Sequence, residues 1–278
     1  MTTCIVCKSN EFKPLWRDLQ QCLHCGYIMA NINVDSLKPD ELYDEAYFSG
    51  AEYADYLRDR DVLERNFNAR LKEVRRFHTN GKLIEVGCAY GYFLNLARRY
   101  FSVRGFDIAE SALEHARNVF GLPVDNAEFV DANIEPNSVD VVVMWDTIEH
   151  LLRPDLVVEK AADSLKQGGS LFLTTGDIGS ILARIRGKNW RLIHPPTHLH
   201  YFNKDTIRRF LEGFGFEISV IKYVPVWRSL RQILYSLLFI GKDDIPRIYR
   251  LIENSRIGPL PLPLNTLDIM LVGGKKVR

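Results

Sequence analysis

From position 82 onward, short apolar runs alternate with stretches whose apolar residues recur every three or four positions. That alternation of strands and helices builds a doubly wound α/β sheet. Strands are expected near 82–86, 103–107, 124–129, 139–144, 170–175, 216–224 and 267–272. Between the first two, 92–100 carries helical periodicity, and Asn203 caps a further helix through Phe210 and Leu211 that ends at Gly213 or Gly215. Ahead of the first strand, Leu57, Leu63, Phe67, Leu71, Val74 and Phe77 fall at helical spacing, which predicts one or two amphipathic helices over 35–80.

The first 34 residues follow neither pattern. Cys4 and Cys7, then Cys22 and Cys25 with Gly26, form two knuckles whose thiolates can surround Zn²⁺ tetrahedrally. Two disulfides are the alternative, disfavoured in a reducing compartment. Four thiolates leave no open coordination position, so such a zinc ribbon is structural or docks substrate, and it unfolds without its metal. His24, inside the second knuckle, is expected to face solvent.

The loop after the first strand is the richest in chemistry. Glu85 lies two residues before Gly87, and Cys88, Ala89 and Gly91 are small enough to let a ligand approach the backbone. A dinucleotide fingerprint would need glycine at Ala89 and Tyr92, so that motif is absent. Asp107 closes the next apolar stretch.

This pattern resembles the first two motifs of class I S-adenosylmethionine-dependent methyltransferases, with alanine at Ala89 where the family usually has glycine. The resemblance implies a Rossmann-like seven-stranded, mostly parallel sheet with helices on both faces and its last strand antiparallel. It implies S-adenosylmethionine held by Glu85, Gly87, Cys88, Ala89, Tyr90, Gly91, Asp107, Ile108, Trp145 and Asp146, the two oxygens of Asp107 suiting the ribose diol. Glu128 and Phe129 look like the family's adenine-contacting turn, Glu128 ahead of Asp131. The Tyr43 to Phe48 segment resembles one that folds over the methionine end of the cofactor, with core packing an equal alternative.

The stretch from Trp145 through Asp146, Glu149 and His150 resembles the fourth motif of a broad group that includes ubiquinone-biosynthesis O-methyltransferases. In some of those, matching acids and a histidine bind a divalent metal or act as acid and base. If the stretch is helical, Asp146, Glu149 and His150 line one face. The alternative is that Glu149 and His150 only brace the cofactor loop. Three histidines, His194, His198 and His200, follow around Pro195 and Pro196, and the resemblance places them beside the transferred methyl. A hydroxyl acceptor must lose its proton, and a histidine can take it at neutral pH. His198, then His200 and His150, with Glu149, are the candidate catalytic groups, against a role in bonding backbone alone.

Segment 226–264 exceeds the usual connection and is read as a helical insertion in the domain spanning 81–278. Its apolar centre, Ile233 to Ile240, flanked by Trp227, Arg228, Arg231 and Lys242, predicts a lid or dimer contact, or peripheral membrane contact through 226–245. The 278 residues carry a net charge of +1, and 35–64 holds ten acids against three bases, which disfavours nucleic acid as a partner. Absence of an apolar leader or an apolar run of about 18 residues makes the expected location cytoplasmic, or peripheral to the inner face of the membrane. The expected activity is methyl transfer to a small molecule, a sugar, or a glycan or lipid-linked acceptor. A ribbon ahead of this domain resembles the arrangement in nucleotide-sugar C-methyltransferases, which carry a large further C-terminal domain that these 278 residues do not include. The alternative is an RNA-modifying methyltransferase or a zinc-ribbon binding adaptor.

Overall fold

The structure, a computed structural model, describes residues 3–16, 18–32, 60–239, 255 and 257–278. The ribbon opens the chain with β1 (Phe12–Pro14), β2 (Leu19–Cys22) and β3 (Ile28–Ala30). There follow α1 (Arg60–Val74), β4 (Lys82–Val86), α2 (Tyr92–Ala97), β5 (Ser102–Asp107), α3 (Glu110–Phe120), β6 (Val124–Asn126), β7 (Val139–Trp145), α4 (Pro154–Ser164) and β8 (Leu165–Gly176). The chain continues through α5 (Ile181–Arg186), β9 (His200–Tyr201), α6 (Lys204–Glu212), β10 (Phe216–Tyr223), β11 (Val226–Ser229), α7 (Leu230–Phe239), β12 (Pro261–Leu264) and β13 (Ile269–Lys276).

Seven strands form the central sheet in the order β10-β13-β8-β7-β4-β5-β6, with β13 antiparallel to both neighbours and the rest parallel. Period-two alternation assigns the side chains to two cores. Leu83, Val141 and Val143 face α1, α2 and α3 through Phe67, Leu71, Phe93 and Leu113, while Ile84, Val142 and Met144 face α4 and α6 through Val158, Ala161, Ile207 and Phe210. Both sheet faces are covered, as parallel strands require. Glu85 shares the parity of Leu83 and therefore points among α1 and α2, not toward solvent.

From β4 the chain steps outward to β5 and β6, then returns to β7 and β8 on the other side. The crevice at the carboxyl ends of β4 and β7 is thus the topological switch point, where ligands of such sheets bind. Two expectations are corrected. The third strand stops at Asn126, because Phe129 sits in a 3₁₀ turn and packs against Phe106 with ring centroids 5.5 Å apart. The 146–150 stretch is a turn, since Asp146 at φ 52° leaves helical geometry at the strand end and the helix begins only at Pro154. Asn203 caps α6 as expected, its side chain accepting from the amides of Asp205 and Thr206.

The ribbon is built into this fold. β3 pairs with β9, so a strand from beyond residue 199 completes a four-stranded sheet, β1-β2-β3-β9. Tyr27 joins the main core beside Phe202, ring centroids 5.4 Å apart, while Leu19, Ile28 and Ala30 share a second core with Trp190, Ile193 and Leu199. Of the insertion, β11 and β12 pair as an antiparallel ribbon and α7 follows β11; residues 240–254 and 256 lie outside the described residues, as does the Tyr43 to Phe48 segment. No helix among the described residues is long and apolar enough to cross a membrane.

Candidate functional site

The loop leaving β4 turns through Gly87 at φ 74° and Gly91 at φ 76°, backbone conformations that favour glycine. A Cβ on Gly87 would stand 2.6 Å from Thr147 Oγ1, and one on Gly91 would stand 2.6 Å from Leu122 Cδ1. Ala89 also has a positive φ, 43°, which accounts for the glycine usual at that position. Its N–H donates to Asp107 Oδ2 at 2.7 Å, and Ala109 N–H donates to Oδ1 at 2.9 Å. The carboxylate therefore fixes the loop after its own strand and the loop after β4 together. Burial raises the Asp107 carboxyl above its ordinary value, with the backbone N–H groups opposing that rise.

Around this carboxylate the other expected contacts take distinct places. Cys88 packs its buried side chain against Gly105 and contributes as a small residue. Tyr90 lies over Ala109 and Ala112, Ile108 is half-buried with its carbonyl accepting from Asn126 at 2.9 Å, and Glu128 is exposed at the entrance of the 3₁₀ turn. Phe129 is buried on Phe106 beneath the strand ends. Glu85 Oε2 is buried without a hydrogen-bond partner, and burial, then the Asp107 charge, push this carboxyl well above its ordinary value. The indole N–H of Trp145 is likewise buried and unpartnered among the described residues. A glycine cradle, a diol acceptor and orphaned buried polar atoms fit an adenosyl ligand at the switch point.

Arg70 is the residue that sequence reasoning missed. It lies on the apolar face of α1 between Phe67 and Leu71, and its Nη2 donates to Asp146 Oδ2 at 2.6 Å while the guanidinium stands 5.5 Å over the Trp145 ring. A charged residue at a core-facing helical position was the available signal. Thr174 Oγ1 donates to the other Asp146 oxygen at 2.8 Å. Burial opposes ionisation of Asp146, but Arg70 and Thr174 outweigh it and hold the carboxyl below its ordinary value. Asp146 is thereby an anchor for α1.

Glu149, His150 and His198 do come together, each offering a donor atom within 4.8 Å of the others. Glu149 is 5% exposed, its Oε2 lacks a partner, and burial with the neighbouring Asp146 raises it to about 8. His150 Nδ1 faces Thr197 O at 2.9 Å and His198 Nδ1 faces Leu192 O at 2.9 Å. Since a carbonyl only accepts, both Nδ1 atoms carry hydrogen, and each ring keeps its lone pair on Nε2. Burial lowers His150 to about 4 and takes His198 well below its ordinary value. One carboxylate and two neutral imidazoles form a donor set that can accept a proton or hold a divalent cation. His200 has neither capacity: Nδ1 bonds the Tyr27 hydroxyl and Nε2 faces Leu151 O at 2.8 Å, so both ring nitrogens are engaged.

In the ribbon, the four sulfurs of Cys4, Cys7, Cys22 and Cys25 also lie within 4.8 Å of one another, with Cys4–Cys25 and Cys7–Cys22 each at 3.5 Å. That is far beyond a disulfide bond of about 2.05 Å and near the roughly 3.8 Å edge of a tetrahedron with 2.3 Å metal–sulfur bonds. Burial opposes ionisation of Cys22, yet the N–H groups of Cys25 and His24 and the adjacent thiols bring it down to about 7. His24 is exposed and faces Glu11 at 3.2 Å, outside the cluster.

Comparison with known proteins agrees with this geometry. Residues 56–220 match the family model described as a methyltransferase domain. The ubiquinone biosynthesis O-methyltransferase of Azoarcus sp. is 30% identical over 162 residues, covering 52% of this chain and 69% of that one. The protein of the same description from Cupriavidus pinatubonensis is 28% identical over 169 residues, covering 56% and 67%. Among solved structures, a SAM-dependent methyltransferase from Archaeoglobus fulgidus superposes with a TM-score of 0.55 at 19% identity, covering 86% of this chain and 100% of that one. One from Thermotoga maritima gives 0.53 at 22% identity, covering 80% and 94%. The chain thus belongs to the methyltransferase domain family and is a class I S-adenosylmethionine-dependent methyltransferase.

Proposed function

We propose that this methyltransferase methylates a hydroxyl group of a small-molecule acceptor, with Glu149 receiving the hydroxyl proton and His198 beside it. What carries the reading is the buried Glu149 carboxyl, at about 8, clustered with the His150 and His198 rings so that ligand atoms of all three lie within 4.8 Å of one another. A base works best when its proton affinity lies near the working pH, and Glu149 meets that condition where the lowered histidines do not. The names of the ubiquinone O-methyltransferase relatives support an oxygen acceptor.

When bound, S-adenosylmethionine would supply an electrophilic methyl on its sulfonium, the sulfur leaving as the neutral thioether when an acceptor oxygen takes that methyl. Asp107 and the Gly87–Gly91 loop hold the adenosyl portion, and Arg70 with Asp146 fixes α1 across the pocket. Glu149 takes the proton as oxygen gains the methyl, and the Nε2 lone pair of His198 is a second acceptor for that same proton. Alignment and proton removal together carry the acceleration, the latter on the order of 10²–10⁴-fold. The same three donors also suit a divalent cation that would polarise the hydroxyl, a second reading supported by their mutual distance. Zinc is the metal we assign to Cys4, Cys7, Cys22 and Cys25.

A lipid-linked acceptor is favoured by one observation. Ile181 and Ile185 are 75% and 76% exposed one helical turn apart on α5, beside Arg184, Arg186 and Lys188, and 178–191 contains no acid. Sedimentation with anionic vesicles that fails for Ile185→Glu would support it; equal binding would remove it. The central test is a screen of hydroxylated metabolites with radiolabelled cofactor. Glu149→Gln and His198→Ala should each lower turnover at least 100-fold while S-adenosylhomocysteine affinity stays within twofold. Turnover within twofold of wild type in both variants removes the proton-transfer role. Metal analysis finding a second equivalent beside that of the ribbon would select the cation reading.

A further inference from the structure

The segment between α5 and α6 carries His198, yet its only strand is β9, two residues long. Its order comes from the ribbon. Ala30 N–H donates to Leu199 O at 2.8 Å, and β3 pairs Ile28 with Tyr201 and Met29 with His200. Ile28, Ala30 and Leu19 supply three of the eight buried residues of the small core into which Trp190, Ile193 and Leu199 pack. On the opposite side, the amides of Leu199 and His200 donate to Glu149 O at 2.7 and 3.2 Å. β9 therefore stands between the ribbon and the Glu149 turn, bonded to both.

One side chain spans the same gap. Leu151 O can only accept, so His200 carries its hydrogen on Nε2 and accepts the Tyr27 hydroxyl at Nδ1. Tyr27 follows the second knuckle by two residues and is fully buried, while Leu151 follows Glu149 by two. The relay runs from the second cysteine knuckle to Tyr27, to His200, to the backbone of the Glu149 turn. No comparable contact ties the ribbon to the Gly87–Gly91 loop or to Asp107 among the described residues.

We infer that the four-cysteine ribbon is the scaffold of the acceptor half of the site, and that Tyr27 and His200 are positioning residues for Glu149 and His198. A ribbon of this size holds its fold through its metal. Loss of metal then disorders the acceptor half and leaves the adenosyl half intact. The inference rests on the proposed roles of Glu149 and His198 and on zinc in the ribbon.

The test is hydrogen–deuterium exchange of the full-length chain, with S-adenosylhomocysteine titrated calorimetrically into the same samples. Stripping metal with a chelator should speed exchange at 149–151 and 190–202 by roughly tenfold or more, with 83–91 and 103–107 unchanged and the dissociation constant within twofold. Tyr27→Phe, which keeps every thiolate, should retain its metal and speed exchange at 149–151 and 199–202 by roughly fivefold, the loss of one buried hydrogen bond. His200→Gln, whose amide can still donate toward Leu151 O, should be closer to wild type than His200→Ala, both in exchange and in turnover at saturating cofactor. Unchanged exchange at 190–202 after stripping, or a Tyr27→Phe protein indistinguishable from wild type, overturns the inference. So does global loss of protection together with cofactor affinity, because the ribbon would then support the entire sheet. Should the exchange pattern hold while His198→Ala turns over normally, the proton-transfer reading fails and the scaffold role stands.

Discussion

Replacing Asp107 by alanine tests the cofactor site where its energetics are most explicit. The carboxylate accepts backbone N–H groups from Ala89 at 2.7 Å and Ala109 at 2.9 Å, one on each oxygen. A hydrogen bond to a charged group contributes about 1.5–3 kcal/mol. If, as we propose, the two ribose hydroxyls bond those oxygens, they supply about 3–6 kcal/mol, so Asp107→Ala should weaken S-adenosylhomocysteine binding about 10²–10⁴-fold. Asp107→Asn keeps one accepting oxygen and turns an amide N–H toward one of the two loop donors, so its loss should fall between alanine and wild type. Isothermal titration calorimetry measures affinity, and thermal melts of the unliganded proteins separate it from loop collapse. If Asp107→Ala melts lower but binds within fivefold of wild type, the carboxylate serves only to tie two loops together, and the diol assignment is refuted.

Ala89→Gly should stabilise the unliganded protein by about 1 kcal/mol, because φ 43° strains any residue bearing a Cβ; a melting temperature equal to or below wild type counts against that strain. Arg70→Met should cost about 2 kcal/mol in denaturant unfolding, below the value for a fully buried pair because Asp146 keeps a third of its side chain exposed; a cost under 0.5 kcal/mol shows the pair to be idle. For Glu149, a folded value of about 8 against 4.5 unfolded means the native state binds the extra proton between those limits, so the group withdraws stability as pH rises from 4.5 to 8, by at most about 5 kcal/mol. Glu149→Gln should therefore stabilise the unliganded protein at pH 8 and hardly at pH 5, and equal effects at both refute the shift. His150 and His200, at about 4 folded against 6.5 unfolded, act in the other direction and remove stability as pH falls through 6.5 toward 4; His200→Gln should flatten that acid limb, and an unaltered limb means His200 ionises normally.

The loop after β4 and the end of β5, to which we assign the adenosyl half, were legible because their parts are neighbours in sequence. Glu85, Gly87, Gly91 and Asp107 lie within 23 positions on adjacent strands, so local patterning specifies them almost completely. The runs at 82–86 and 139–144 likewise read as buried strands, for both faces of β4 and β7 are covered. Phe129 misled the strand boundary since apolarity alone cannot separate a strand residue from a plug beneath the sheet. Helical spacing drew Asp146, Glu149 and His150 together for a reason the structure overturns: a left-handed Asp146 breaks the helix, and the turn gathers Glu149 and His150 with His198 instead. Arg70 went unread because its partner is 76 residues away, and β9 because two residues carry no period.

Distance along the chain also separates the two halves of the site in how they are held. Asp107 organises the cofactor loops through bonds to Ala89 and Ala109, contacts that re-form whenever β4 and β5 pair. Glu149, by contrast, is fixed through β9, and β9 is fixed by a ribbon some 170 residues earlier. Closing that long loop has an entropic cost, and the tyrosine–histidine relay, the shared core of Leu19 with Trp190 and the clustered cysteine knuckles together oppose it. The acceptor half is accordingly the part of the molecule most open to remodelling. Substitutions in the ribbon can retune the His198 side without disturbing the adenosyl pocket, a division suited to a fold that keeps one methyl donor while changing what receives the methyl.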